Sequence, residues 1–340
     1  MMKNTLFNIT SAVAFSLSIG ILNAQEPIKV NVENYIRAES DFQIATYAKT
    51  LGCFSKLVHQ RDFYSVDNQL TVRVNRDTYY SFGVYDLATP VTITKPDPGD
   101  RFQSLMIINQ NHSISPTIQG GGTFTYTQEK LGTRYMIVIF RTFANAVDPE
   151  DKKIAHALQD KIVIEQADPG KLELPNWDDV SRQKMMDAIN VLAGSLSTTE
   201  GFFGEKGKID PIKQLMGTAY GFAGNPIEAA IYKNIIPEMN DGETPYKVTV
   251  KEVPVDGFWS ITIYDAKGYM VKNEYNAYSI NNKSAKKNKD GSITINFGGD
   301  PKNINYLPTP KGWNCLIRLY QPKEALLSGE WDFPAFELVK

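Results

Sequence analysis

Histidine and cysteine are scarce in this sequence: three histidines and two cysteines in 340 residues. The histidines, His59, His112 and His156, do not stand within ligand spacing of one another. A multi-histidine zinc or iron site is thereby set aside, and no metal is assigned; one histidine with carboxylates stays open. His156 lies in a helical segment, whereas His59 and His112 fall in loop-like stretches that expose such groups. A structural hydrogen-bonding role is favoured for each, and His112 is kept as a ligand-binding candidate. The cysteines, Cys53 and Cys315, lie far apart and are flanked by apolar residues. One disulfide is allowed in an oxidising compartment, and two separately buried thiols fit equally well.

Charge of one sign is also lacking. Thirty-six basic residues face 38 acidic ones, a net charge of −2, with the two signs interspersed. Nucleic-acid binding needs a concentrated basic face, so that class is set aside. The one basic cluster, KSAKKNKDG at 283–291, reads as a solvated hairpin loop. There is no glycine-rich phosphate loop with its lysine and no G-x-S-x-G elbow, and the sequence names no cofactor.

Only the N-terminus carries an extended apolar run. Lys3 precedes it, and it ends at Leu22-Asn23-Ala24 before Gln25. This is the pattern of a cleaved secretory signal over residues 1–24. No cysteine follows it for a lipid anchor, and no later run reaches membrane length. The expected product is periplasmic or secreted, with no membrane span.

What is present is a change of texture along the chain. Residues 25–69 read as an N-terminal helical segment, with Ile44, Tyr47, Ala48 and Leu51 at helical spacing. Residues 70–166 read as a first β-rich domain, containing PVTITK, SLMIINQ, GTFTYTQ and TRYMIVIF. Residues 167–244 read as a helical connection. The dipeptides Asp148-Pro149, Asp210-Pro211 and Asn225-Pro226 each place a capping side chain before a first-turn proline. Glu228 stands where it would complete the cap begun at Asn225. Residues 245–340 read as a second β-sandwich, with YKVTVKEV, FWSITIYD, SITINFGG and NCLIRLYQ. The fold class expected is α+β multidomain: two β-sandwiches with helical insertions.

Within LTVRVNRDTYYSFGVYDL, residues 70–87, three strongly polar groups interrupt a strand-like pattern. Period-two alternation puts Arg76 with Thr78, Tyr80 and Phe82, and Asn75 and Asp77 with Tyr79. Arg76 is therefore expected to point inward to an acid partner. Asn75, Asp77 and Tyr79 are expected to share an accessible cleft, with Asp77 as the candidate catalytic acid or base. Arg318, inside apolar CLIRLYQ, must find a partner if buried, and is a candidate anion holder.

VNRDTYYSFGVYDL, GDRFQSLMIINQNH, GTRYMIVIFRT and LQDKIVIEQ resemble the bacterial domain of unknown function 1254. YGFAGNPIEAAIY, VPVDGFWSITIYDAKGYMVKNEYNAYSINN, KDGSITINFGGDP, NYLPTPKGWNCLIRLYQP and GEWDFP resemble the partner domain of unknown function 1214. The resemblance runs from about Tyr35 to Pro334. It implies an exported protein built on jelly-roll-like sandwiches, and it brings no reaction. It places Asn75, Arg76, Asp77 and Thr78 in the motifs of the first domain, and Asn305 and Arg318 in those of the second. The chain departs from the family at Tyr306 and at Gln214, where a histidine is common, so no histidine role transfers to that helix.

The function expected is binding of a small polar or carbohydrate-like ligand in a cleft near Asn75–Asp77, with hydrolase- or lyase-type catalysis left open. The ligand-binding set is Asn75, Arg76, Tyr79, His112, Asn305 and Arg318. The alternative is a structural or oligomeric envelope protein in which Asn75, Arg76 and Asp77 are all internally paired; a homo-oligomer is left open.

Overall fold

The computed structural model describes residues 26–69, 72–146, 148–196 and 198–339. The expected signal segment, residues 1–24, lies outside the described residues.

In the N-terminal half, seven strands form two antiparallel sheets: β1 (Val58–His59), β2 (Thr78–Asp86), β3 (Val91–Lys95), β4 (Gln103–Asn109), β5 (Gly122–Tyr126), β6 (Tyr135–Phe143) and β7 (Val163–Gln166). One sheet runs β1-β2-β6-β4 and the other β5-β3-β7. Leu105, Ile107, Met136, Val138 and Phe140 of the first sheet meet Val91, Ile93 and Tyr126 of the second. The opposite face of the first sheet, with Val84, Met106, Ile108, Ile137 and Ile139, packs against Ile44, Tyr47 and Leu51. Strands β4 and β6 are buried along their whole length. Burial on both faces explains why SLMIIN and YMIVIF are continuous apolar runs rather than alternating ones. The covering helix is α1 (Tyr35–Thr46), continued by a π-helical turn at Tyr47–Leu51 and stopped by Gly52 in the left-handed region.

The remaining helices are α2 (Gln128–Leu131), α3 (Pro149–Asp160), α4 (Asp179–Ala193), α5 (Pro211–Tyr220) and α6 (Glu324–Leu327). Asp148 caps α3 and Asp210 caps α5, each accepting two backbone N–H bonds ahead of its proline. The third such dipeptide does not start a helix. Asn225-Pro226 opens a turn that leads directly into strand β8 (Ala230–Ile235). The Asn225 side chain is engaged by Tyr232 and Arg141 instead of by backbone N–H groups. The expected helical connection over 167–244 is corrected accordingly: its C-terminal part is a sheet strand.

In the C-terminal half, β8 joins β9 (Tyr246–Val250), β10 (Trp259–Tyr264), β11 (Ser279–Asn281), β12 (Ile293–Phe297), β13 (Tyr306–Leu307), β14 (Asn314–Tyr320) and β15 (Glu337–Leu338). The sheets are β11-β10-β14-β8, antiparallel throughout, and β13-β12-β9-β15, in which β12 and β13 are parallel. Trp259, Ile261, Ile263, Ile317 and Leu319 of one sheet pack against Val248, Ile295 and Phe297 of the other. The fold is α+β, with two facing sheets in each half. Cys53 and Cys315 are both free and buried.

The second face of the β10–β14 sheet is turned towards the N-terminal half. There Ala230, Phe258 and Tyr320 pack with Phe102 and Phe143, while Tyr264, Met270, Tyr278 and Leu316 pack with Val74. The same face carries Thr262 and Arg318, so polar groups are buried among these aromatics. Among the described residues, no helix is long and apolar enough to cross a membrane.

Candidate functional site

The segment before β2 is not strand. Arg73 adopts a left-handed conformation (φ 56°), and its N–H donates to the Gly268 carbonyl at 2.8 Å. Two residues on, the Asn75 side-chain oxygen accepts the Asp77 backbone N–H at 2.8 Å, closing an Asx turn. Pleat alternation therefore does not apply to residues 75–77, and their orientations are the reverse of those expected.

Asn75 and Asp77 are buried, Asp77 to 1% exposure. The Asn75 amide donates to the Tyr320 hydroxyl at 2.7 Å. The Asp77 carboxylate accepts from the Ser279 hydroxyl at 3.2 Å and from the Asn281 amide at 3.1 Å. Neither residue faces an accessible cleft. Together they form a clasp to the C-terminal half.

Arg76 is the group left at the surface of this turn. Among the described residues it has no carboxylate within ion-pair distance, contrary to the expected inward pairing. Its guanidinium lies between the rings of Tyr278 (5.0 Å) and Phe63 (6.0 Å), and its one hydrogen bond runs to the Tyr64 carbonyl at 3.3 Å. Burial lowers its pKa, countered in part by Tyr278 and Asp77. An open cavity of about 240 Å³ lies against it, walled by Phe63, Tyr64, Tyr278, Asn276, Asp67 and Lys272. Lys272 and Asp67 pair at 3.1 Å, leaving Arg76 as the charge there without an ion-pair partner among the described residues. This cleft can hold a planar or ring-shaped ligand between aromatic walls and offer it a forked cationic donor.

Residues 54–166 match the family described as protein of unknown function DUF1254, and residues 237–324 match that described as protein of unknown function DUF1214. The chain carries both domains, in that order. Among solved structures it is similar to the VPA0106 protein from Vibrio parahaemolyticus, with 20% identity and a TM-score of 0.67 over 91% of this chain and 98% of that one. It is also similar to an uncharacterized protein from Burkholderia cenocepacia, with 12% identity and a TM-score of 0.52 over 91% of this chain and 88% of that one. At these identities the likeness concerns the fold. No functionally curated protein matches this sequence.

The cleft thus draws Phe63, Tyr64 and Arg76 from the DUF1254 segment and Lys272, Asn276 and Tyr278 from the DUF1214 segment. The clasp also joins the two, because Asp77 belongs to the first and Ser279 and Asn281 to the second.

The other expected site residues are dispersed. Arg318 is buried beside the clasp, where it donates to the Tyr264 hydroxyl and the Arg73 carbonyl at 2.8 Å and to the Thr262 hydroxyl at 2.9 Å. It braces the segment leading to the Asx turn and does not reach the cleft. Tyr79 points the other way, with its ring against Phe63 (4.6 Å) and His156 (5.0 Å). Burial, with smaller contributions from Asp62 and Asp151, pushes its hydroxyl up to about 12.

His112 is 1% exposed and stacked on Phe222. One ring nitrogen bonds to the Thr218 hydroxyl at 2.7 Å, and the other accepts the Ala223 N–H at 3.1 Å. Its candidacy as a ligand group is corrected to a structural one. Asn305 is a loop clamp, bonded to both backbone groups of Lys286 and to the Thr294 carbonyl. Among the described residues, no three His, Cys, Asp or Glu side chains converge to hold a metal ion.

Sequence reasoning missed Phe63, Tyr64 and Tyr278, which look like ordinary core aromatics, and Lys272, which looks like a surface charge. No local pattern connects them, because they meet only when the two halves dock.

Proposed function

We propose that this protein is an exported binding protein that takes a small acid-bearing carbohydrate or hydroxy acid in the Arg76 cleft. The observation that carries the reading is Arg76 itself: a half-buried guanidinium, flanked by two aromatic rings and lacking a carboxylate, on a cavity shared by both halves. A carboxylate would supply the missing charge through a bidentate pair, and a sugar ring would lie against Tyr278 or Phe63. The cavity falls below the range of about 300–1,000 Å³ typical of drug-sized ligands, which selects a small one. Among the described residues the only carboxylate lining it, Asp67, is held by Lys272, so binding rather than acid–base catalysis is favoured.

Under this reading the signal segment ends at Ala24, and intact-mass analysis of protein from its native host gives a start near Gln25. A full-length product would contradict export. The domains keep the ranges 70–166 for the first sandwich and 245–340 for the second, with β1 added to the former and β8 to the latter. Its eight strands, paired four and four, suit a jelly-roll-like description.

Calorimetric titration with D-galacturonate, with D-galactose as the neutral control, tests the binding reading. Galacturonate is expected to bind, and Arg76→Met to weaken it by about tenfold or more, the worth of one charge-assisted pair. Absence of binding, or an unchanged affinity in Arg76→Met, would contradict it.

A further inference from the structure

A second guanidinium is more deeply buried and, among the described residues, likewise has no carboxylate partner. Arg141 of β6 is 6% exposed. It donates to the Ala223 carbonyl at 2.8 Å and the Asn225 side-chain oxygen at 3.4 Å, touches the Met106 sulfur at 3.6 Å and lies over the Tyr80 ring at 5.5 Å. None of these partners is a carboxylate. A cation held away from water without a counter-charge is costly, and neutral oxygens offset only part of that cost.

Two phenols stand close by with the same bias towards donation. The Tyr232 hydroxyl accepts from the Asn225 amide at 2.6 Å, and the Tyr320 hydroxyl accepts from the Asn75 amide at 2.7 Å. Each therefore keeps its own proton to give, and no acceptor for either is found among the described residues. Burial holds the Tyr320 hydroxyl protonated. The Tyr80 ring lies under the guanidinium, and Tyr232 is joined to it through the shared Asn225 side chain, so these neutral phenols stand beside Arg141. Donors converge on this guanidinium, and among the described residues no carboxylate pairs with it.

Asn225 and Tyr232 also form part of the wall of a cavity of about 450 Å³, whose apolar lining includes Phe203, Ile227, Ile231 and Leu326. Arg141 lies one side-chain layer beneath that wall. At the same cavity Lys233 is paired with Asp332, and the Glu200 carboxylate is exposed at the edge, where solvent and salt screen it.

We propose that this cavity is a binding site for a monocarboxylic acid with a short apolar tail. The carboxylate takes the place of the Asn225 side chain against Arg141 and accepts a hydrogen bond from the Tyr232 hydroxyl, while the tail lies along Ile231, Phe203 and Leu326. The site is separate from the Arg76 cleft and does not depend on a ligand being bound there. An amine is excluded by the buried cation, and an alcohol supplies no charge to balance it.

Isothermal titration of the mature protein with hexanoate, hexan-1-ol and hexylamine tests the proposal. Hexanoate is expected to bind at least tenfold more tightly than the alcohol or the amine, with the same affinity in the presence of saturating galacturonate. Arg141→Met is expected to weaken hexanoate at least tenfold. Should that variant fail to fold, Leu327→Trp decides: Leu327 lines the cavity at 37% exposure, and the larger ring fills it from the surface. It too is expected to weaken hexanoate at least tenfold. No hexanoate binding, equal binding of hexan-1-ol, displacement by galacturonate or unchanged affinity in the folded variants would each overturn the proposal.

Discussion

His112 has both ring nitrogens committed, and burial pushes its pKa from the usual 6.5 down to about 3. The unfolded chain takes a proton at this residue near pH 6.5, while the folded protein stays neutral there until about pH 3. The unfolded state therefore binds more protons between those values. Stability falls as pH drops through that window and is unaffected by this residue above it. The slope is up to about 1.4 kcal/mol per pH unit. His112→Asn keeps a residue type that tolerates the left-handed backbone (φ 50°) and removes the titration. Urea unfolding at pH 6.5 and 5 is expected to show a loss of stability about 2 kcal/mol smaller in the variant than in the parent. Equal losses would contradict the buried, neutral assignment. The sequence marked His112 as polar and loop-borne, which is true of its neighbourhood. It could not reveal that Thr218 and Ala223, more than 100 residues away, close over both nitrogens.

Among the elements, the strands were legible because β-branched and aromatic runs carry that signal wherever they lie. The helix starts show the limit of a local pattern. Among the described residues Asp148 and Asp210 have no competing side-chain partner, and each caps its helix. Asn225 has the same local grammar, but Tyr232 and Arg141 claim its side chain, and the following residues pair with β14. A capping preference of about 1 kcal/mol is easily outweighed by a full strand ladder. Asp210→Ala is accordingly expected to cost about 1 kcal/mol of unfolding free energy, measured by chemical denaturation. A cost near zero would show that the Asp210 cap does not stabilise α5. The Asx turn at 75–77 is the same lesson within a strand pattern. One side chain bonding to the backbone two residues on broke the period-two reading and exchanged the inward and outward residues.

At the scale of the molecule, the two sandwiches are joined by contacts between residues more than 200 positions apart, such as Asn75 with Tyr320 and Asp77 with Asn281. The change of texture along the chain revealed two β-rich halves. It held no information about which faces meet, because the polar groups on those faces look individually like site residues. Asp77 stabilises the junction through two donors from β11 and through the charge of Arg318, which it partly balances. Arg76, its neighbour in sequence, faces the cleft with one long hydrogen bond and contributes little to the junction. Scanning calorimetry of Asp77→Asn and Arg76→Met without ligand tests this division of roles most directly. Asp77→Asn is expected to cost about 2–4 kcal/mol, lowering the melting temperature by about 4–8 °C, and Arg76→Met to stay within about 2 °C of the parent. The reverse order, with Arg76→Met melting well below Asp77→Asn, would contradict the account.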